Sequence, residues 1–95
     1  MLFDTGKVEK IKDSTLGLIY FEDEYICDYD GIDCDVVVID NTIIINKAEI
    51  NYNTDESTLS DILSYEFNTY VNVKFEDIYY DNNCKYAKII IDIEE

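Results

Sequence analysis

Residues 36–50, VVVIDNTIIINKAEI, contain two apolar runs that flank a short polar break. Val36 to Ile39 and Ile43 to Ile50 are rich in β-branched side chains, which pack well on the pleated surface of a sheet. Asp40-Asn41-Thr42, between the runs, is short enough for a tight hairpin loop. The nearly continuous apolar character of both runs predicts a hairpin at the centre of a sheet.

A single helix is predicted after this hairpin, from about residue 55 to residue 67. Thr54 or Ser57 is suited to cap its N-terminus, and Asp55 and Glu56 lie where the positive end of a helix dipole favours anions. Apolar residues then recur at three- and four-residue spacing, which places them on one helix face. These residues are Leu59, Ile62, Leu63 and Phe67.

Two half-buried strands are predicted after the helix. Val71 to Phe75 and Ala87 to Ile93 place apolar residues at alternate positions, and Asp81-Asn82-Asn83 joins the two runs. The resulting order predicts an α+β fold: an antiparallel sheet of five to six strands, either open or curled toward a barrel, packed on one helix. A chain of 95 residues has room for one core, so residues 1–95 are expected to form a single domain.

The N-terminal third predicts further strands. Lys7 to Lys12 and Leu16 to Phe21, separated by Asp13-Ser14-Thr15, predict a first hairpin. Tyr25 to Tyr29 predicts a short strand, and Asp30-Gly31 predicts a turn after it because Gly accepts positive φ.

The N-terminus also resembles the opening of cold-shock and related OB-fold domains, which carry a Gly-x-Val strand followed by a Gly-x-Ile strand. Gly6-Lys7-Val8 and Gly17-Leu18-Ile19 carry the likeness, which implies a barrel-like sheet. In that family, aromatic and basic residues stack on and neutralise nucleic acid. Here they are replaced by Leu16, Leu18, Glu22, Asp23 and Glu24, so a shared fold would come without the usual ligand.

The charge of the chain restricts its partners. Twenty-two Asp and Glu residues against seven Lys, with no Arg and no His, give a net charge of −15. This charge repels phosphate backbones and anionic lipid surfaces, so neither direct nucleic-acid binding nor membrane binding is expected. The same field attracts cationic proteins and speeds their encounter. The expected partner is a basic nucleic-acid-binding protein or a nuclease.

Two acidic clusters with adjacent tyrosines are the predicted partner-binding sites. Alternate side chains of a strand lie about 6.6 to 6.8 Å apart, and one DNA strand rises about 3.4 Å per nucleotide, so carboxylates on a sheet can approximate a track of phosphates. A solvated surface that keeps the protein soluble is the alternative interpretation. The first cluster is Glu22, Asp23, Glu24, Tyr25, Asp28, Tyr29, Asp30, Asp33 and Asp35, and the second is Glu76, Asp77, Tyr79, Tyr80 and Asp81.

Catalysis is not expected. The chain lacks His, the commonest general base, and Arg, the usual phosphate clamp, and it has no Gly-rich phosphate loop, nucleophile elbow or zinc pattern. The loop from Asp28 to Asp35 fails the calcium-loop spacing, because Gly31 stands at the fourth position instead of the sixth. We therefore assign no catalytic, metal-binding or cofactor-binding residue.

The start of the chain and its cysteines predict a cytoplasmic protein. Met1-Leu2-Phe3 runs straight into Asp4, unlike a secretory signal peptide, and no apolar run reaches membrane-spanning length. Cys27, Cys34 and Cys84 are odd in number, so reduced thiols are expected rather than a disulfide framework.

In size, charge and β-rich pattern, the whole chain resembles the small acidic inhibitors that phages and mobile elements carry, including anti-CRISPR proteins and other DNA mimics. No shared motif accompanies the likeness, so it assigns no functional residue. It implies an inhibitor that binds and blocks a basic nucleic-acid-binding protein or nuclease complex, in the host cytoplasm if the protein is phage-encoded. The alternatives are an immunity protein or antitoxin that neutralises a nuclease, and a homo-oligomer in which Ile43 to Ile45 or Ile89 to Ile91 pair as edge strands.

Overall fold

Two helices pack on one face of a six-stranded sheet in the computed structural model, which describes residues 5–22, 26–27 and 34–94. The α+β fold and the strand number are as predicted. The elements are α1 (Thr5–Ser14), β1 (Ile19–Tyr20), β2 (Ile26–Cys27), β3 (Val36–Ile39), β4 (Thr42–Ile50), α2 (Glu56–Phe67), β5 (Val71–Asp81) and β6 (Cys84–Ile93).

The strand order is β2-β3-β4-β6-β5, and β1 pairs with the end of β4 that β3 leaves free. Over the described residues this order is an open path. The barrel-like alternative, and with it the expectation from the cold-shock likeness, is therefore wrong. The pairs are antiparallel except for β2 with β3, which run parallel. The strand predicted over residues 25–29 is described at Ile26–Cys27, whereas the Asp30-Gly31 turn lies outside the described residues.

Both predicted hairpins after residue 35 are present. β3 pairs with β4 around a two-residue turn, Asp40-Asn41, because Thr42 already belongs to β4. β5 pairs with β6 around Asn82-Asn83, where both residues have positive φ, 51° and 66°. Asn tolerates this left-handed conformation, and two such residues give a turn whose twist matches that of the flanking strands.

The predicted N-terminal hairpin is wrong, because residues 5–14 form helix α1. Val8 and Ile11 are three residues apart, which places both on one helix face, and both are fully buried in the core. Of the second predicted strand, Ile19 and Tyr20 alone pair with β4. Gly17 lies in the connecting turn with φ +82°, a conformation that glycine adopts without steric cost.

Helix α2 is confirmed, but Asp55 caps it instead of Thr54 or Ser57. The Asp55 carboxylate accepts hydrogen bonds from the Thr58 backbone N–H and hydroxyl, each at 2.8 Å. Leu59 and Leu63 are buried against the sheet. The helix ends at Asn68, whose φ of 55° closes the last turn.

The core lies between the helices and the sheet. Its largest fully buried side chains come from α1, α2 and the two central strands, and include Ile11, Leu59, Leu63, Ile43, Ile45, Ile89 and Ile91. The segments Ile43 to Ile45 and Ile89 to Ile91 belong to β4 and β6, each of which is paired on both sides. Neither is an edge strand, so the expectation that these segments form free edges is wrong.

The expectation of reduced thiols is wrong for two of the three cysteines. Cys27 and Cys34 are joined by a disulfide, with their Cα atoms 6.1 Å apart. β2 runs parallel to β3, and Cys27 lies beside Val37. Since Val37 is only a few residues after Cys34, the two cysteines lie near each other. Cys84 is a free, half-buried thiol. Among the described residues, no helix has the length and apolar character needed to cross a membrane.

We predict that the cap of α2 makes stability sensitive to acid. The hydrogen bond from the Thr58 N–H, followed by that from its hydroxyl, lowers the pKa of Asp55 below its ordinary value. The cap is therefore fully stabilising above the unfolded-state pKa and is lost as the pH falls through the lower folded-state value. Asp55→Asn keeps an acceptor oxygen but does not titrate.

The measurement is thermal melting of wild type and Asp55→Asn at pH 7 and pH 3. The wild type should lose more of its melting temperature on acidification than the variant does. Asp61→Asn, which removes one exposed charge from the same helix, is the control and should track the wild type. Equal acid sensitivity of the wild type and Asp55→Asn would contradict the prediction.

Candidate protein-binding surface

The first half of the edge strand β5 is covered by helix α2. Three α2 side chains at four-residue spacing form a row along one side of the helix. They accept hydrogen bonds from the outward N–H groups of every second residue of β5. Ser64 Oγ accepts from Val71 N–H at 2.9 Å, Ser60 Oγ from Val73 N–H at 3.0 Å, and Glu56 Oε2 from Phe75 N–H at 2.7 Å.

A β-bulge ends this covered half. Glu76 pairs with Lys88 and Tyr79 with Tyr86, which leaves two residues of β5, Asp77 and Ile78, opposite a single residue of β6. Asp77 has a φ of +54°, in the left-handed region that the first residue of one bulge type occupies. Beyond Phe75, no described residue hydrogen-bonds to the outer edge of β5.

The second predicted cluster lies on this uncovered half. We call Glu76–Tyr86, the outer part of the β5–β6 hairpin, the ribbon. Three large side chains that follow one another in this strand are exposed to solvent: Ile78 by 47%, Tyr79 by 44% and Tyr80 by 59%. The predicted residues Glu76, Asp77, Tyr79, Tyr80 and Asp81 are thus brought together on one strand, with Glu76 half-buried and the others exposed.

The ribbon tyrosines are held by ring contacts on its two faces. Tyr79 stacks on Tyr86, with ring centroids 5.1 Å apart, on the sheet face away from the helices. Tyr80 contacts Tyr52, with centroids 5.5 Å apart, on the helix side. Such pairs limit the rotamers of exposed rings, so less side-chain entropy is lost when a partner binds.

Two members of the first cluster meet the ribbon across a groove. Glu22, half-buried Asp35 and Glu49 line a groove of about 320 Å³ together with Tyr86. Lys47 Nζ lies in the same groove, 5.6 Å from the centroid of the Tyr86 ring. The other predicted members lie outside the described residues: Asp23, Glu24, Tyr25, Asp28, Tyr29, Asp30 and Asp33.

Tyr86 joins the two predicted clusters, because it lines the groove and also stacks on Tyr79. Partial burial raises the pKa of Tyr86 above its ordinary value, and the nearby Cys84, Glu49 and Asp81 raise it further. The phenol therefore stays protonated at neutral pH and keeps an O–H donor among carboxylates.

Lysines lie among the carboxylates of this surface: Lys47 lines the groove, and Lys85 belongs to the ribbon. Between described residues one ion pair forms, Lys74–Glu76 at 3.4 Å. No carboxylate among the described residues is buried, so these charges remain in water. Four ammonium groups lie over aromatic rings at 5.1 to 5.6 Å: Lys10 over Phe67, Lys12 over Phe21, Lys47 over Tyr86 and Lys85 over Phe75.

The sequence did not predict Glu49, Lys47, Tyr52 or Tyr86 as part of this surface. A register shift in β4 between Ile45 and Ala48 determines how Lys47 and Glu49 meet β6, and no residue type marks that bulge. Tyr86 could have been found only from strand register, which aligns it with Tyr79. Tyr52 lies in the turn between β4 and α2, where no register applies.

Comparison with protein-family models, with characterised proteins and with solved structures found no match to this chain. Within the part of the chain that the structure describes, no three His, Cys, Asp or Glu side chains are arranged to hold a metal ion. Function must therefore be inferred from the surface itself.

We predict that the hydrogen bond from Val73 N–H to Ser60 holds α2 against β5. Ser60→Ala leaves the buried N–H of Val73 without its acceptor, which lowers the free energy of unfolding by about 1–3 kcal/mol. Because Ala favours the helix more than Ser does, a few tenths of a kcal/mol of this loss are recovered. Ser57→Ala, at an exposed position of the same helix, makes the same exchange and is the matched control.

Urea unfolding and amide hydrogen exchange measure the effect. Ser60→Ala should be less stable than Ser57→Ala and should exchange the Val73 amide faster. Equal stabilities of the two variants, with unchanged exchange at Val73, would show that this bond contributes nothing.

Proposed function

We propose that this chain is an acidic inhibitor that binds and blocks a basic nucleic-acid-binding protein or nuclease complex. The observation that carries the proposal is the exposed tyrosine and carboxylate surface formed by the ribbon and the adjacent groove. Its carboxylates stay in water, and Lys47, which lines the groove, lies over the Tyr86 ring. A site that normally holds nucleic-acid phosphates attracts such a surface.

The two parts of the surface serve different steps of binding. Exposed carboxylates steer a cationic partner and raise the association rate. The tyrosines, already paired with neighbouring rings, supply amphipathic contact area that slows dissociation. The likeness in size and charge to phage and mobile-element inhibitors favours an anti-defence DNA mimic that acts in the host cytoplasm. An immunity protein against a nuclease would use the same surface, and the identity of the target separates the two.

The proposal is tested with charge-matched variants on the captured target. Tagged protein captures its target from host lysate, and the target is then purified and its binding measured at several salt concentrations. The surface variant carries Glu22→Gln, Asp35→Asn, Asp77→Asn and Asp81→Asn. The control carries Glu9→Gln, Asp40→Asn, Asp61→Asn and Glu66→Gln, exposed carboxylates elsewhere. Both variants change the net charge from −15 to −11, since each removes four negative charges.

We expect the surface variant to associate about 10-fold more slowly, with a weaker salt dependence, and the control to change by less than about 3-fold. Nucleic acid should compete with the chain for the target. The proposal fails if the captured target binds no nucleic acid, or if nucleic acid and the chain bind it at the same time. Equal losses in both variants would remove this surface from the interface.

A further inference from the structure

The uncovered edge of β5 has the geometry of a site for strand addition. From Val71 to Phe75 the outward N–H groups are bonded by α2, but none of the described residues bonds the edge from Asp77 to Asp81. In a two-residue hairpin the pair next to the turn, here Asp81 and Cys84, exchanges hydrogen bonds. Alternation then directs the N–H and C=O of Tyr80 outward, where another strand can pair with them.

We infer that the target docks an extended lysine- or arginine-bearing segment as an added strand on Asp77–Asp81. The inference deepens the proposed function and rests on it. Backbone hydrogen bonds to an exposed edge supply affinity, and alternate side chains supply specificity. Asp77 and Asp81 lie at the two ends of the free edge, opposite positions where the added strand would carry its cations.

The side chains of this edge favour pairing. Proteins that only protect an edge place charges and bulges along it. Here the bulge is followed by Ile78, Tyr79 and Tyr80, three exposed large side chains in succession. Such residues have high strand propensity and pair well across strands. The bulge ends the part of the edge that α2 covers, and the residues after it are suited to contact another chain.

A second copy of this chain is a poor occupant. Each copy carries a net charge of −15, so association of two copies is opposed at long range. A cationic strand is attracted by the same field.

The test uses two nine-residue peptides of alternating lysine and β-branched residues, acetylated and amidated. One has ordinary peptide bonds, and the other is N-methylated at its five central residues, which keeps charge and side chains but removes the N–H donors of both edges. Binding to isotope-labelled full-length chain is followed by amide chemical shifts and hydrogen exchange. The ordinary peptide should shift residues 77–81, slow exchange at Tyr80 and bind about 10-fold more tightly than the methylated peptide.

Two variants of the chain test the same edge by altering the chain's own N–H donor instead of the peptide's. Tyr80→Pro removes the outward N–H at a position where an edge strand tolerates proline, and Tyr80→Val keeps that N–H. Once both are shown to be folded, Tyr80→Pro should weaken the ordinary peptide about 10-fold relative to Tyr80→Val. If Tyr80→Pro does not fold, the peptide comparison still decides.

Three outcomes overturn the inference. Equal affinity of the two peptides would mean that charge alone binds them, and the acidic surface of the proposed function would then stand without strand addition. Shifts confined to residues outside 77–81 would place the contact elsewhere. Absence of binding by the ordinary peptide would also reject strand addition, while the proposed function is decided separately on the captured target and its nucleic acid.

Discussion

The pairing of β4 with β6 is the contact on which the rest of the structure depends. It sets Ile43 opposite Ile91 and Ile45 opposite Ile89, four buried side chains at the centre of the core. Three other strands are attached directly to these two: β3 and β1 pair with β4, and β5 pairs with β6, while β2 joins the sheet through β3. Both helices pack against the apolar face that this pair creates. Among the described strands β5 pairs with β6 alone, so it is an edge strand.

A second constraint comes from the charge of the chain. An isolated carboxylate cannot be buried without a large loss of solvation, and the described carboxylates accordingly stay at the surface. The core is therefore built mainly from β-branched and other aliphatic side chains. Such a surface is repulsive within one copy, which reduces stability. A cationic partner relieves that repulsion. Binding such a partner therefore also stabilises the fold.

The elements predicted correctly are those with strong local periodicity. The hairpin over residues 36–50, helix α2 and the β5–β6 hairpin each carry apolar spacing that matches one secondary structure. The N-terminal region predicts strands because charged residues separate Val8 from Ile11. Their three-residue spacing fits a helix, and the tertiary contact with α2 and the sheet stabilises it. Local sequence did not distinguish the two.

The candidate surface was predicted in part, for a different physical reason. Composition and adjacency were enough to identify Glu76 to Asp81 as a cluster of carboxylates and tyrosines. The partners of these residues come from other elements and depend on strand register. Tyr79 pairs with Tyr86 because the turn at Asn82-Asn83 has two residues. A bulge changes which residues oppose each other by one position, so pairs beyond it, such as Glu76 with Lys88, follow only once the bulge is located.

The length of α2 decides where the edge of β5 becomes free. Four residues of helix rise about 6 Å, and two residues of strand about 6.6 to 6.8 Å, so successive acceptors on α2 stay aligned with alternate N–H groups of β5. The row runs from Ser64 through Ser60 to Glu56, and its next member would be residue 52. The helix begins only after that position, at Glu56, because Asp55 caps it. Tyr52 instead places its ring against Tyr80, and no described residue hydrogen-bonds to the outer edge of β5 beyond Phe75. The start of α2 at its Asp55 cap therefore separates the half of the edge that α2 covers from the half that it leaves open.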